Sequence, residues 1–273
     1  MFQSRLAHFF QTGICLILIG CAASPNLTNY PRRQIDRPFN LPEGMNSFST
    51  IGIFQRDTHE PLFGPRYSEN HWLPLFPSTW QKSFSSRWGR SFSLLPPTLL
   101  AMYQIKADEK MVCGLNFGIS SSYSTADGFY WGLSTSYYHR QLLNRSWALE
   151  FAPTLMLRES TSSNNKKKLR PLVILPTGGL HQLTETLALR AGIIPTWWHE
   201  RRLKSVEASL NNSSYETKED WDYKWRFVLP LYTEINWSAS RRWDISGSVT
   251  WRRIGEYQQQ QSWMILYAFT HFW

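Results

Sequence analysis

The sequence predicts an all-β chain that folds as an antiparallel transmembrane β-barrel of about ten strands. Three observations predict it. Apolar and polar side chains alternate with a period of two along most strand-like segments, short and long links alternate between the segments, and Trp and Tyr residues fall near the predicted strand ends. Aromatic residues make up 15% of the chain although its mean hydropathy is only -0.38. A barrel reconciles these two values, because only every second residue of its strands faces lipid.

The strand signal falls on residues 47–55, 91–104, 111–123, 129–140, 146–158, 170–180, 186–199, 222–237, 243–254 and 262–273. Most of these segments are close to the ~9–11 residues that a tilted membrane strand requires. Along 222–237, for example, Trp225 and Phe227 share one face while Lys224 and Arg226 share the other. Such alternation predicts a wet inner face and an apolar outer face.

Prolines conflict with these bounds. They lie inside predicted strands at Pro96-Pro97, Pro153, Pro176, Pro195 and Pro230. Each proline removes a hydrogen bond from the ladder between paired strands. We therefore expect bulges or strand ends at some of these positions.

The links between the predicted strands support the barrel independently. The links on one side are short, at 105–110, 141–145, 181–185 and 238–242. Three links on the other side are long, at 56–90, 159–169 and 200–221. Short periplasmic turns and longer extracellular loops are typical of outer-membrane barrels. The asymmetry predicts periplasmic chain termini.

Residues 1–20 predict an export signal peptide. Arg5 precedes a short apolar run that ends in small residues, which is the order expected of such a signal. The tetrapeptide Leu18–Cys21 resembles the lipobox of bacterial lipoproteins. The resemblance implies that Cys21 becomes the lipidated first residue of the mature chain. Ordinary cleavage after Ala23 is the alternative.

Residues 21–46 predict an extended tether, because four prolines in this segment oppose both helix and sheet. Residues 47–273 are predicted to form the barrel. Cys113 is the one other cysteine beyond the signal, so no internal disulfide can form once Cys21 is acylated. We expect Cys113 to face lipid as a small apolar side chain.

The last segment, Trp263–Trp273, places aromatic or large aliphatic side chains at alternate positions and finishes on an aromatic residue. It resembles the closing strand of Gram-negative outer-membrane β-barrel proteins of an uncharacterised type. The resemblance implies residence in the bacterial outer membrane, contact with its lipid and lipopolysaccharide, and recognition of this strand by the barrel-insertion machinery. His271 departs from the family pattern, which has an aromatic residue there. We expect a monomer and no contact with nucleic acid, which has no access to that compartment.

Charged side chains on the polar faces of the predicted strands would line the lumen. They are Glu150, Arg158, Arg190, Lys224, Arg226, Glu234, Asp244 and Arg252. Buried charges require partners, so one interpretation is an ion-pair network that fills a narrow interior. The other is a pathway for small polar or anionic solutes, in which the excess of five basic over three acidic residues favours anions.

Acidic and histidine side chains cluster only near the predicted outer mouth, at Asp57, His59, His71 and His199. Outer-membrane proteases of similar strand number place such residues there to activate water. This chain shows no motif of those proteases, and its sequence predicts no metal or cofactor site. We therefore expect a passive role, as a narrow channel or as a surface structural or interaction protein, rather than an enzyme. The alternative is a hydrolase that acts on lipid or peptide at the extracellular mouth.

Overall fold

The computed structural model describes residues 25–59, 67–94, 97–124, 128–161, 167–211, 214–254 and 260–273. Its strands are β1 (Asn46–His59), β2 (Tyr67–Ser83), β3 (Trp88–Leu94), β4 (Pro97–Ala107), β5 (Met111–Ser124), β6 (Gly128–Leu142), β7 (Trp147–Phe151), β8 (Thr154–Thr161), β9 (Lys167–Ile174), β10 (Thr177–Gln182), β11 (Leu187–Ile193), β12 (Thr196–Asn211), β13 (Ser214–Val228), β14 (Leu231–Trp237), β15 (Trp243–Ile254) and β16 (Gln260–Phe272). Two short 3-10 helices, Pro25–Asn29 and Gln34–Asp36, precede β1. No helix in this part of the chain is long and apolar enough to cross a membrane. The predicted signal peptide and Cys21 lie outside the described residues.

These segments close into an antiparallel barrel of 12 strands. Four strands of the ring are each interrupted once, so β7 continues as β8, β9 as β10, β11 as β12, and β13 as β14. The first strand, β1, pairs with the last strand, β16. On the other side of the ring, β6 pairs with both β5 and β7, which completes the closure. The predicted antiparallel β-barrel is therefore confirmed, whereas the predicted count of about ten strands is too low.

The two strands that were not predicted lie where prolines interrupt the alternation of apolar and polar residues. β2 lies within 56–90, which we predicted to be a loop. Pro74 and Pro77 fit into β2 because the register between β1 and β2 shifts next to each of them. The segment 91–104, predicted as one strand, reverses direction, and Leu94 of β3 pairs with Pro97 of β4.

Four further prolines lie next to one another in adjacent strands and form what we call the proline belt: Pro153, Pro176, Pro195 and Pro230. Each interrupts its strand, and the residues before the first three bond to the proline of the next strand. The N–H of Ala152 donates to the carbonyl of Pro176 (2.9 Å), that of Leu175 to Pro195 (2.8 Å) and that of Ile194 to Pro230 (2.9 Å). Because the carbonyls still accept hydrogen bonds, the ladder tolerates the missing proline N–H groups. The expected interruptions are thus aligned into a single row.

The outer wall of the barrel is apolar. Outward side chains such as Leu99, Leu133 and Leu149 are 54%, 66% and 54% exposed. The inner positions between them carry small polar residues, for example Ser134 and Ser136. An apolar exterior around a polar interior is the arrangement of a membrane barrel.

Aromatic residues mark one rim of the barrel. β3 begins at Trp88, β7 at Trp147 and β15 at Trp243, and β14 ends at Trp237. All four side chains are exposed on the outer wall. We call this rim, which carries the turns 84–87, 108–110, 143–146, 183–186 and 238–242, the proximal rim, and the opposite one the distal rim. Such a band is what amphipathic rings prefer at a membrane interface.

Residues 25–45 lie inside the barrel at the proximal rim, and we call them the plug. Tyr30 and Met45 of the plug are buried in one cluster with Phe272 of β16. Ile35 is buried in a second cluster with Ala148 of β7, Leu180 of β10 and Ala188 of β11. The segment predicted as a tether therefore contacts the wall on several sides of the lumen.

Candidate functional site

Arg37 fixes the plug to the barrel wall. It forms an ion pair with Asp244 of β15, and their side chains are only 8% and 11% exposed. Its Nη2 donates to Asp244 Oδ1 and to Ser238 Oγ, both at 3.0 Å. The guanidinium also lies over the rings of Tyr30 and Phe272, 4.9 and 5.4 Å from their centroids. Removing one partner of such a buried pair is costly, because it leaves the other charge without compensation.

The surroundings of Arg37 and Tyr30 in the plug also determine their protonation states. Burial lowers the pKa of Arg37, but the hydrogen bond to Asp244 and the negative charge of that carboxylate outweigh it and raise the pKa above its usual value. Burial raises the pKa of the Tyr30 hydroxyl. Arg37 therefore stays charged and Tyr30 stays neutral near pH 7, where unperturbed pKa values of about 12.5 and 10 already favour those states.

A second set of charges runs along the wall of the lumen. Glu150 of β7 accepts from Arg140 of β6 (2.9 Å) and from Arg190 of β11 (3.0 Å). Arg190 also pairs with Glu234 of β14 at 3.3 Å. The ladder explains this placement, because Arg140 lies opposite Glu150, and Arg190 lies opposite Glu234, in paired strands. Opposite charges facing each other across a ladder stabilise the sheet.

Arg140 links the wall network to the backbone of the plug. Its Nη1 donates to the carbonyl oxygens of Gln34 (2.9 Å), Ile35 (3.3 Å) and Arg37 (3.1 Å). In return, the side-chain oxygen of Gln182 accepts from the N–H of Ile35 at 3.1 Å. The wall thereby satisfies plug groups that would otherwise be buried without partners.

Beyond the network, towards the distal rim, most described inward positions carry small polar or aliphatic side chains, and Trp198 of β12 is an aromatic exception. The small polar and aliphatic residues include Ser49, Ile51, Ile53, Leu100, Asn116, Ser134, Ser136, Met156, Leu172, Ile174, Ile194, Thr196, Ser248, Thr250, Met264 and Leu266. Arg170 and Arg226 also face inward there, and each has an interaction partner.

The structure brings part of the predicted lumen set together. Glu150, Arg190, Glu234 and Asp244 all belong to the charge contacts just described. The backbones of Arg158, Lys224 and Arg252 lie in β8, β13 and β15, but their side chains lie outside the described residues.

Two residues of these charge contacts, Arg140 and Arg37, were not predicted from the sequence. Arg140 follows Tyr138 by two positions on a predicted strand, so its inward orientation could have been found from the alternation. Arg37 lies in a proline-rich segment that has no periodicity, and nothing in the local sequence signals that it is buried.

The residues considered for a hydrolase are spread around the ring. Asp57 and His59 lie at the distal end of β1, and His71 lies in β2, paired with Gln55. His199 lies in β12, which is separated from β1 by β13, β15 and β16. The side chains of all four candidates lie outside the described residues. Among the residues that are described, no group of three or more His, Cys, Asp or Glu is placed to hold a metal ion.

A cavity of about 980 Å³ lies between the plug and the proximal turns. Arg33, Ile35 and Asp36 of the plug line one side, and the turns 107–110 and 141–145 line the other. The plug therefore fills the centre of the proximal opening but leaves free volume beside β4, β5 and β6.

No protein-family model and no curated protein matches this sequence. Among solved structures, an outer membrane channel from Pseudomonas putida F1 is similar with a TM-score of 0.55 at 12% identity, covering 85% of this chain and 97% of that one. The P. putida toluene transporter TodX gives a TM-score of 0.43 at 7% identity (90% and 93% covered). The outer membrane protease OmpT from Escherichia coli gives 0.36 at 5% identity (88% and 100% covered).

The first of these similarities shows the fold. The chain has the architecture of Gram-negative outer-membrane β-barrel proteins, which confirms the predicted resemblance at the level of fold. The other two similarities are too low in TM-score to support an argument, so no activity follows from them.

Proposed function

We propose that the protein is a channel of the bacterial outer membrane, closed by its plug, that passes small uncharged molecules. The proximal rim faces the periplasm in this proposal, as the short turns of outer-membrane barrels do. The observation that carries the proposal is that the plug occupies the centre of the ring without being one of its strands.

The plug is suited to leave the lumen without unfolding the wall. The barrel strands pair only with one another within the described residues. The plug is held instead chiefly by side-chain contacts from Arg37 and Arg140 and by two apolar clusters, with one backbone bond from the N–H of Ser83 to the carbonyl of Met45 at 3.0 Å. Displacing residues 25–44 would therefore keep the ladder of the ring intact and open the axial path.

The charge balance of the lumen favours uncharged solutes over the anions considered from the sequence. In the two charge clusters, the three arginines Arg37, Arg140 and Arg190 are matched by the three acids Glu150, Glu234 and Asp244. The distal lining is made mostly of hydroxyl and aliphatic groups, and its two described arginines, Arg170 and Arg226, each have an interaction partner. A pore without an excess of fixed charge has no electrostatic preference for one sign of ion.

A surface structural or interaction protein is the second candidate. The observation that favours it is the number of buried polar contacts between plug and wall, since a permanently seated plug would make the same contacts. The two functions differ in one property, which is whether the lumen ever conducts.

Liposome swelling separates these candidates. Refolded wild-type protein and a variant lacking residues 25–44 are compared in liposomes with an uncharged sugar and with an anionic sugar acid of similar size. We expect the deletion variant to swell faster than the wild type with the uncharged sugar and to show no preference for the acid. Swelling of the deletion variant no faster than that of empty liposomes, with β-structure retained by circular dichroism, would support the structural role instead.

A further inference from the structure

Three strands of the barrel begin with a tryptophan at the proximal rim, and an arginine of the preceding turn lies one or two positions before each of them. The pairs are Arg87 and Trp88 of β3, Arg145 and Trp147 of β7, and Arg242 and Trp243 of β15. All three arginines are exposed, and the three indoles are exposed on the outer wall. We call these pairs the arginine–tryptophan sites. In each of them, a guanidinium and an indole come from one turn at the level of the membrane interface.

A second aromatic ring, from the paired strand, packs on the tryptophan of each site. The ring centroids are 4.6 Å apart for Trp88 and Tyr103, 4.0 Å for Trp147 and His181, and 4.4 Å for Trp243 and His271. In all three cases the two residues lie directly opposite each other in the ladder. Such cross-strand contacts stabilise one orientation of the indole, so the site is ordered before a ligand binds.

The charge of the five proximal turns follows the same pattern. The turns that lead into these tryptophans, 84–87, 143–146 and 238–242, each contain arginine and no acidic residue. The other two, 108–110 and 183–186, contain acidic residues and do not lead into a tryptophan. Positive charge is therefore placed selectively beside the interfacial indoles, and an anion at the membrane surface would complement it.

We propose that each arginine–tryptophan site binds the phosphate of a phospholipid whose acyl chains lie against the outer wall. A guanidinium can donate two parallel hydrogen bonds to a phosphate, and the indole N–H is a further donor at headgroup level. Leu149 and Phe151 follow Trp147 on the outer face of β7 and are 54% and 40% exposed, so apolar surface for acyl chains begins beside that site. The choice of phospholipid rests on the orientation in the proposed function, in which the proximal rim faces the periplasm. The binding of phosphate does not rest on it.

Native mass spectrometry of the refolded protein in detergent micelles tests the sites through the lipid that stays bound. Phosphatidylglycerol is the probe, and a diacylglycerol with the same acyl chains is the matched lipid without phosphate. Lipid A, the phosphorylated anchor of lipopolysaccharide, represents the opposite leaflet of the outer membrane. The concentration of each lipid that half-saturates the protein is compared between variants.

Arg242→Gln and Arg241→Gln each remove one charge from the same turn. Arg241→Gln is the matched control, because Arg241 donates to the carbonyls of Thr28 and Tyr30 in the plug. We expect Arg241→Gln to retain phosphatidylglycerol like the wild type, and Arg242→Gln to lose affinity at one site. With glutamine at all three sites, the half-saturating concentration should rise roughly fivefold, as expected when each site loses one cation at a lipid surface.

Three results would overturn phosphate binding at the sites. They are unchanged retention of phosphatidylglycerol by the variant with three glutamines, equal weakening by Arg241→Gln and Arg242→Gln, and retention of the diacylglycerol as tight as that of phosphatidylglycerol. Tighter retention of lipid A than of phosphatidylglycerol would overturn the choice of phospholipid. None of these results depends on conductance, so failure of the channel proposal in the swelling assay remains distinguishable. Circular dichroism confirms that each variant has folded.

Discussion

Replacing Arg37 by alanine should shift the equilibrium of the plug from its seated position in the lumen towards the displaced one. With the plug seated, Asp244 would keep its burial but lose its ion pair, and would retain a 3.3 Å hydrogen bond from Gln34. With the plug displaced, the same carboxylate would be hydrated. Removing one partner of a buried pair costs ~3–5 kcal/mol, so the ratio of open to closed channels should rise roughly 100- to 3,000-fold.

Single-channel recording in planar bilayers measures this ratio as open probability. Arg241→Ala is the matched control, because Arg241 is exposed and donates to the plug carbonyls of Thr28 and Tyr30 without pairing with a buried acid. Its open probability should rise much less than that of Arg37→Ala, since its loss leaves no buried charge without a partner. Adding Asp244→Asn to Arg37→Ala should restore most of the closure by removing the unpaired charge. An Arg37→Ala channel that opens no more often than the Arg241→Ala control would refute the reasoning.

Three further outcomes are expected. Gly192→Ala should lower the free energy of unfolding in urea by ~1–3 kcal/mol through overpacking. The added Cβ would meet the Thr177 carbonyl and lie 2.7 Å from the Cα of Gly178. Gly247→Ala is the control and should unfold like the wild type, because its Cβ would lie 3.8 Å from Ile235. Hydrogen bonds from Lys106 and from the N–H groups of Lys110 and Met111 lower the pKa of Asp108 to about 2. This carboxylate should therefore add stability that is present above its ordinary pKa and lost as the pH falls through about 2. The difference in melting temperature between wild type and Asp108→Asn should hold from pH 7 to about 4 and shrink at pH 2. A difference that stays constant over this pH range would contradict the assignment. Mass spectrometry of the mature protein should find an acylated Cys21 at the N-terminus, and a chain beginning at Ser24 would show ordinary cleavage instead.

Strands with clean alternation and short turns could be predicted closely. β15 was expected at 243–254 and runs Trp243–Ile254, and β5 was expected at 111–123 and runs Met111–Ser124. In both, the period of two and a polar turn lie in the local sequence, so no distant contact is needed to define the strand.

The features that could not be predicted depend on distant contacts. Pro74 and Pro77 are compatible with β2 only because β1 shifts register beside them. The plug has no periodicity of its own, and its position is set by residues more than 100 positions away, such as Asp244 and Arg140. A tether was predicted for this segment because its prolines are the one structural signal in the local sequence.

His271 shows how a departure from a family pattern can keep its physical role. The imidazole lies between the rings of Trp243 and Trp273, with centroids 4.4 and 5.4 Å away. A flat aromatic ring is therefore still present at the position where outer-membrane barrels tend to have an aromatic residue. The predicted recognition of this strand by the insertion machinery remains a prediction.

The plug lies beside the strand pair that closes the barrel. β1 follows the plug directly and pairs with β16, where the N–H of Asn46 donates to the carbonyl of Trp273 at 2.8 Å. Tyr30 of the plug packs on Phe272 of the same strand, with ring centroids 5.1 Å apart. The final strand pair thus forms beside the place where the plug sits. The seated plug covers Phe272 and therefore stabilises the seam between the first and last strands, and a plug that leaves the lumen would expose this side chain to water.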